Sequence, residues 1–230
     1  MDIQVNGPGI LFKIPLLGGI EITQSIVNMW LLMAVILLAS IYLTRGMRTQ
    51  NPRRRQIIAE TIVKAVQDMV AKNAGAQNMH RCAFAASIFA AALLSGLMGL
   101  LGMFAPTADL STCIGWSLVV FAAITLQRIR TRRLSGYIKS FAEPYGFMTP
   151  INIISEISLP LSMAFRMFGN MASGAIVMLL IYSALASLGG MLLQIGIPAV
   201  FSIYFDVFAS ALQAFIFTML AMIYIRLAGE

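Results

Sequence analysis

The fold is decided first by an uncharged run near the N-terminus, residues 22–44, with the sequence ITQSIVNMWLLMAVILLASIYLT. A helix of about twenty apolar residues is long enough to cross a hydrocarbon core of ~30 Å. Arg45 and further arginines follow this run at once. Because lysine and arginine are kept on the cytoplasmic side of membranes, this end is expected in the cytoplasm and segment 1–21 outside.

The composition of the whole chain is typical of a membrane protein. Hydrophobic residues make up 59% of the 230 residues and charged residues 11%, against roughly a quarter charged in soluble domains. The net charge is +7, and most of the basic residues lie in two short stretches, 45–55 and 128–139, that flank apolar runs. A nucleic-acid-binding protein would spread them over one face or domain, so we predict no nucleic-acid partner.

The middle of the chain predicts one surface helix and two spans. Residues 52–78 place apolar positions at helical spacing with charges between them, which indicates an amphipathic helix. We expect it along the cytoplasmic membrane surface, although a helix packed on a partner protein fits the same pattern. Residues 82–127 contain two more uncharged runs joined by a link without lysine or arginine, which is expected outside.

The last third, residues 149–227, predicts two unusually long helices. At 1.5 Å per residue, a helix over 149–188 reaches ~60 Å, about twice the membrane thickness. Such helices must tilt or bend, so we expect a steeply inclined hairpin with a turn near 189–198. The C-terminus is expected in the cytoplasm. The predicted fold is a single all-α membrane domain with about five membrane-embedded helices and one amphipathic surface helix.

Arg166 lies near the middle of the first long helix. A charge at membrane depth costs from ~3 to more than 10 kcal/mol, and a guanidinium does not readily lose its proton. The residue is therefore expected to be functional or paired, unless it snorkels to the headgroups. Gly169, Ser173 and Gly174 are small and allow a neighbouring helix to approach, which predicts that this face meets another protein.

Three polar residues accompany Arg166 in the long helices. Asp206 lies between two uncharged stretches, which favours a proton-relay or channel residue, with a carboxylate at a helix end on the outer surface as the alternative. Asn170 follows Arg166 by four residues and Gln213 follows Asp206 by seven, so each pair shares a helix face. The four residues predict a polar stripe across two helices, which serves either an ion path or helix packing.

Two segments carry a resemblance to a known family. PLSMAFRMFGN at 160–170 resembles the signature of subunit a of F-type ATP synthases, usually PxSLxxRLFGN, and ALQAFIFTML at 211–220 resembles the family's second signature. PTAD at 106–109 and TPIN at 149–152 also match. The resemblance covers roughly 23–227 and implies a non-catalytic subunit of a bacterial cell membrane that couples proton or sodium translocation to ATP synthesis on other subunits.

The resemblance also implies partners and residue roles. Subunit a lies beside a rotating ring of c subunits, with a b-type peripheral stalk, and two offset half-channels lead to the ring through membrane lipid. Arg166 matches the essential arginine that separates the half-channels, Gln213 the glutamine facing it, and Asn170 the asparagine one turn on. Asp206 falls where relatives carry a glutamate or histidine in the outer half-channel. The expected c-ring interface comprises Gly169, Ser173 and Gly174.

The chain departs from the family pattern at three positions. Ala175 stands where some relatives have a second channel carboxylate or histidine, so the outer path depends on Asp206 or other groups. Leu159 replaces a common lysine or arginine, and Ser111 replaces a common asparagine. None of these departures touches the arginine, so the implied role stays and the details of the channel are in question.

Two other functions are open from sequence. A stand-alone channel or secondary transporter would hold its substrate site in one chain, typically with repeats and broken helices, and we find no repeat. A non-transporting assembly subunit would use the polar stripe only for packing. The chain has no Gly-rich nucleotide-binding loop, and Cys82 and Cys113 show no metal-site spacing. We therefore predict no catalysis, metal or other cofactor in this chain.

Overall fold

The computed structural model describes residues 9–14, 20–45, 54–141, 146–187 and 200–229. Within these residues, five helical segments are long and apolar enough to cross a membrane, by length and composition. The predicted fold class, an all-α membrane protein with about five spans and one amphipathic helix, is confirmed. The α-helices are α1 Gln24–Thr44, α2 Arg54–Ala74, α3 Cys82–Leu97, α4 Leu110–Ser140, α5 Thr149–Ser187 and α6 Ser210–Leu227.

The helix α2 is the one that does not span. Its buried apolar positions, which include Val66, Val70 and Ala74, recur at helical spacing and join the core formed by the spans. It contacts α1, α3 and α6, so it packs on its own chain. A 3₁₀ segment, Ala76–Arg81, connects it to α3. The start of the predicted 52–78 helix lies outside the described residues.

A small sheet precedes α1, and the sequence analysis did not predict it. The strands β1, Ile10–Ile14, and β2, Ile20–Thr23, pair antiparallel. The backbone N–H of Gln24 donates to the carbonyl of Gly9 at 2.9 Å, which joins the sheet to the first turn of α1. The alternation in IEIT at 20–23 is the signal that could have indicated a strand.

The helices α3 and α6 approach each other closely. A β-carbon added at Gly96 would overlap the β-carbon and hydroxyl oxygen of Ser210, so only glycine permits this separation of the two backbones. Small residues allow such close helix contacts in membranes. As a result, 44% of the α6 span is buried inside the chain, against 11% of the α5 span.

The helix α5 is long and largely uncovered. Its 39 residues correspond to ~58 Å at 1.5 Å per residue, close to the length predicted from sequence. Pro160 lies inside it and removes one backbone donor, which favours a bend. The predicted turn near 189–198 lies outside the described residues.

Candidate functional site between α5, α6 and α3

Contacts between α5 and the π-helical segment Ile203–Ala209, which continues directly into α6, set the antiparallel register of α5 and α6. A β-carbon at Gly174 would lie 3.5 Å from Cδ1 of Phe205. Four residues earlier on α5, the amide nitrogen of Asn170 donates to the carbonyl of Ala209 at 3.4 Å, four residues later on the other helix. Four residues further along each helix, toward the N-terminus of α5 and the C-terminus of α6, Arg166 is level with Gln213. The register therefore brings two of the predicted polar residues, Arg166 and Gln213, to the same depth, with Asn170 one turn away beside Ala209.

Arg166 lies on the exposed side of α5, and it lines a groove between α5 and α6. The groove has a volume of about 360 Å³. Helical side chains point back toward the N-terminus of their helix, so the guanidinium is directed along this groove and away from Asn170. We call it the arginine groove, and its lining residues are Ser155, Ser158, Leu159, Ser162, Met163, Arg166, Leu220 and Tyr224.

The Arg166 guanidinium has no ion-pair partner within the described parts of the chain. Glu156, the nearest acid in sequence, is instead hydrogen-bonded and ion-paired to Arg128 of α4. Tyr137 also donates its hydroxyl to Glu156 at 3.5 Å. This pairing ties α4 to α5 and leaves the charge on Arg166 available for a group outside the chain.

The outer face of α5 carries a line of polar and small side chains that the sequence analysis did not single out as a set. They recur every three or four residues, so they share one helix face. All are exposed in the isolated chain, which is costly against lipid for the charged member. The face therefore requires protein or water over it. Its members are Ser155, Ser158, Ser162, Arg166, Gly169 and Ser173.

The three residues predicted at a partner interface divide into two kinds. Gly169 is exposed with nothing within 4 Å of an added β-carbon, and Ser173 is exposed, with its hydroxyl donating to the carbonyl of Asn170 at 3.1 Å. Gly174 is buried against Phe205 of the same chain. The close approach at Gly174 therefore serves the contact between α5 and α6, while Gly169 and Ser173 remain on the open face.

Asp206 lies in a π-helical segment, Ile203–Ala209, at the start of α6. Segments of this kind occur frequently at functional sites. The hydroxyl of Ser202 donates to Oδ2 of Asp206 at 2.6 Å. The other oxygen, Oδ1, would lie 3.4 Å from a β-carbon at Gly99. The carboxylate is thus half-buried and faces Gly99, in the 3₁₀ segment Met98–Leu101 that follows α3.

Two buried polar atoms continue from Asp206 along α6. Ser210 and Gln213 are 5% and 8% exposed, and neither Ser210 Oγ nor Gln213 Nε2 has a hydrogen-bond partner within the described residues. Buried polar groups normally bind another group or an ordered water. Gly96 lies directly against Ser210, and Gly99 lies against Asp206. We call this strip the α3–α6 seam; it comprises Gly96, Gly99, Asp206, Ser210 and Gln213.

The arginine groove and the α3–α6 seam extend in opposite directions. From Arg166, the groove runs toward the N-terminal end of α5 and the C-terminal end of α6, where Tyr224 lines it. The seam runs from Gln213 toward Asp206, at the N-terminal end of α6. Since Gln213 is level with Arg166, the inner ends of the groove and of the seam lie at one depth. From there, the groove and the seam run toward opposite ends of the helix pair.

No cluster of metal-ligating side chains occurs in the portion of the chain that the structure describes.

Comparison with known proteins matches almost the whole chain to one family. A family profile described as ATP synthase A chain matches residues 26–226. "ATP synthase subunit a 1" of Hahella chejuensis is 35% identical, over 91% of this chain and 85% of the relative. "ATP synthase subunit a 2" of a Bradyrhizobium species is 32% identical, over 95% and 93%. "ATP synthase subunit a, sodium ion specific" of Propionigenium modestum is 27% identical, over 96% and 85%.

Proposed function

This chain belongs to the ATP synthase subunit a family, and from that membership we propose that it conducts ions past Arg166 between two half-channels beside a rotating c-ring. The resemblance found in the sequence motifs is confirmed by the family match. Membership places the chain in the membrane sector of an F-type ATP synthase, where it takes part in ion translocation. It also favours this function over a stand-alone transporter or a non-transporting assembly subunit.

The observation that carries the proposal is the Arg166 guanidinium, which has no ion-pair partner among the described residues and lies on the uncovered face of a membrane-spanning helix. A permanent positive charge attracts a carboxylate on a passing c subunit and stabilises its ionised form, so the carboxylic acid releases its ion there. The same charge repels a cation that would pass directly from one half-channel to the other. The ion must then travel with the ring, and translocation is coupled to rotation.

We assign the inner half-channel to the arginine groove. Ser155, Ser158 and Ser162 offer hydroxyl groups along its wall, and Arg166 closes its deep end. Hydroxyl groups both donate and accept hydrogen bonds, so they can hold a file of water in an otherwise apolar helix pair. The groove opens toward the end of α6 that carries Arg226, which the positive-inside rule assigns to the cytoplasm.

We assign the outer half-channel to the α3–α6 seam. Asp206 is its acidic group, and Ser210 and Gln213 supply polar atoms that require partners within the protein interior. Water between these atoms would satisfy them and would carry an ion from Asp206 to the depth of Arg166. Ala175, the residue where some relatives carry a second channel carboxylate or histidine, lies on the exposed side of α5, so it takes no part in this seam.

The proposed partners follow from the open face and from the family. Gly169 and Ser173 flank Arg166 without covering it, which allows a c-ring helix to pass closely. Asn170 orients the helix pair through its bond to Ala209, and Gly174 holds α6 at the correct distance. We also propose a b-type stalk subunit as a partner and a non-catalytic role for this chain. Its location would be a bacterial cell membrane, with the N-terminus outside and the C-terminus in the cytoplasm.

The test is substitution of Arg166 in the complete ATP synthase. Arg166→Ala and Arg166→Lys are both expected to abolish ion-driven ATP synthesis in membrane vesicles, because lysine lacks the planar fork and can lose its proton. Arg130→Gln, an exposed arginine outside both paths, is the matched control and should retain synthesis. Synthesis at the wild-type rate in either Arg166 variant contradicts the proposal.

The coupling ion is tested separately. One relative is named as sodium ion specific, and the groups that choose the ion are expected on the c-ring. ATP hydrolysis by the complete complex, measured with and without sodium, distinguishes the two ions: stimulation by sodium identifies a sodium enzyme, and indifference to sodium identifies a proton enzyme.

A further inference from the structure

We propose that a small basic pocket at the end of α4 binds the phosphate of an anionic membrane phospholipid. The pocket has a volume of about 170 Å³ and is lined by Arg128, Arg132, Tyr137, Leu227 and Ala228. It shares no residue with the arginine groove or the α3–α6 seam. One turn of a partner's helix, about 10 Å across and 5.4 Å long, would fill roughly 400 Å³, so the pocket suits a small charged group.

The charge of the pocket comes chiefly from one arginine. Arg128 and Arg132 are four residues apart, on one face of α4. Arg128 is already paired with Glu156, whereas Arg132 is exposed and has no ion-pair partner among the residues that the structure describes. A guanidinium binds phosphate oxygens through two parallel hydrogen bonds. The two arginines and Glu156 together leave one net positive charge for an anion.

Tyr137 reaches the pocket because α4 breaks just before it. Arg133 has φ 59° and ψ 163°, and is the one non-glycine residue with positive φ within the described ranges. Such a conformation is unfavourable for an L-residue and clusters at binding sites. The break turns the following residues back toward Glu156. Burial, and then the Glu156 carboxylate, raises the pKa of the Tyr137 phenol, so the hydroxyl stays protonated, and it donates its hydrogen to Glu156 beside the two arginines.

The position of the pocket favours a lipid over a free anion. The α4 and α6 spans end at Leu134 and Leu227, so the pocket lies at the depth of the lipid headgroups. Both leucines are exposed, at 59% and 55%, and they place an apolar surface directly beside the charged pocket. A free phosphate gains nothing from that surface, whereas a phospholipid can lay its acyl chains on it. Basic pockets between spans are known to bind anionic headgroups.

The test uses the complete ATP synthase, held in nanodiscs of phosphatidylcholine and titrated with phosphatidylglycerol. Bound phosphatidylglycerol is counted by native mass spectrometry. Arg132→Gln should weaken the tightest phosphatidylglycerol site about tenfold, because a charge-assisted hydrogen bond is lost. Arg130→Gln is the matched control: it removes the same charge two residues away, on an exposed position that does not line the pocket.

Four results would overturn the proposal. Equal weakening by Arg130→Gln and Arg132→Gln would mean diffuse surface attraction. Displacement of phosphatidylglycerol by an excess of inorganic phosphate would mean a free-anion site. Equal binding of phosphatidylcholine would remove the role of lipid charge. No retained lipid at all would mean that another subunit fills the pocket. ATP hydrolysis by each variant confirms that the complex is assembled. Arg132→Lys keeps the positive charge and should therefore retain part of the phosphatidylglycerol binding.

Discussion

Gly96→Ala tests the close contact on which the α3–α6 seam depends. The added β-carbon would overlap both side-chain atoms of Ser210 and would lie 3.5 Å from its α-carbon. Rotation of the serine cannot move its β-carbon, so the two helices must separate. Overpacking of this kind costs about 1–3 kcal/mol, and alanine in place of a helical glycine returns about 0.5–1 kcal/mol.

The expected net result is a loss of up to roughly 2.5 kcal/mol of stability, which lowers the unfolding temperature of a chain of this size by up to about 10 °C. The assay is the temperature at which the subunit leaves the purified complex, together with ion-driven ATP synthesis in vesicles. Both should fall, because separation of α3 and α6 displaces Asp206 and Gln213 from their positions along the seam.

The control is Gly115→Ala on α4, where nothing lies within 4 Å of an added β-carbon. It makes the same chemical change and should be neutral or slightly stabilising. Ser210→Gly should rescue Gly96→Ala by removing the overlapping atoms, whereas Ser210→Ala, which keeps the β-carbon, should not. If Gly96→Ala is as stable and active as Gly115→Ala, the two helices are farther apart than described and the seam has no basis.

Three further predictions test the remaining contacts. Gly169→Leu should release the c-ring during purification while this subunit remains folded. Gly174→Leu should instead destabilise the subunit itself. Equal retention of the c-ring by the Gly169 variant and the wild type would argue against a c-ring interface at Gly169. Asp206→Asn should lower passive ion flux through the membrane sector several-fold with assembly intact, since it removes the acidic group from the seam, and unchanged flux would leave only a packing role. Glu156→Gln should lower the free energy of unfolding by about 1–3 kcal/mol, because it leaves Arg128 half-buried without its ion pair. Combining it with Arg128→Gln should recover part of that loss. Additive losses in a double-mutant cycle would show that the two side chains are not coupled.

The spans were predictable because the membrane imposes a simple requirement on composition. An uncharged run of twenty residues followed by arginines, as at 22–44, indicates both a span and its direction. Arg166 stood out for the same reason, since an isolated charge is conspicuous in an apolar run. These signals depend on the sequence alone and need no knowledge of which helices touch.

The polar paths were only partly predictable because they depend on the register between helices. The sequence predicted that Arg166 and Asn170 share a face of one helix and that Asp206 and Gln213 share a face of another. It did not predict how deep in the membrane one pair lies relative to the other. That depth follows from contacts such as Gly174 with Phe205. The serines of the arginine groove were overlooked because serine is common in apolar helices, although their spacing from Arg166 was a signal.

If the arginine groove and the α3–α6 seam are the two half-channels proposed above, their inner ends at one depth have an electrical consequence. Water in each path would hold the potential of its own side of the membrane, so most of the voltage would fall across the protein that separates the two paths near Arg166 and Gln213. A drop of 100 mV over the full bilayer is worth about 2.3 kcal/mol for one elementary charge. Concentrated over a layer of protein thinner than the bilayer, that drop would become a stronger local field at the level of Arg166.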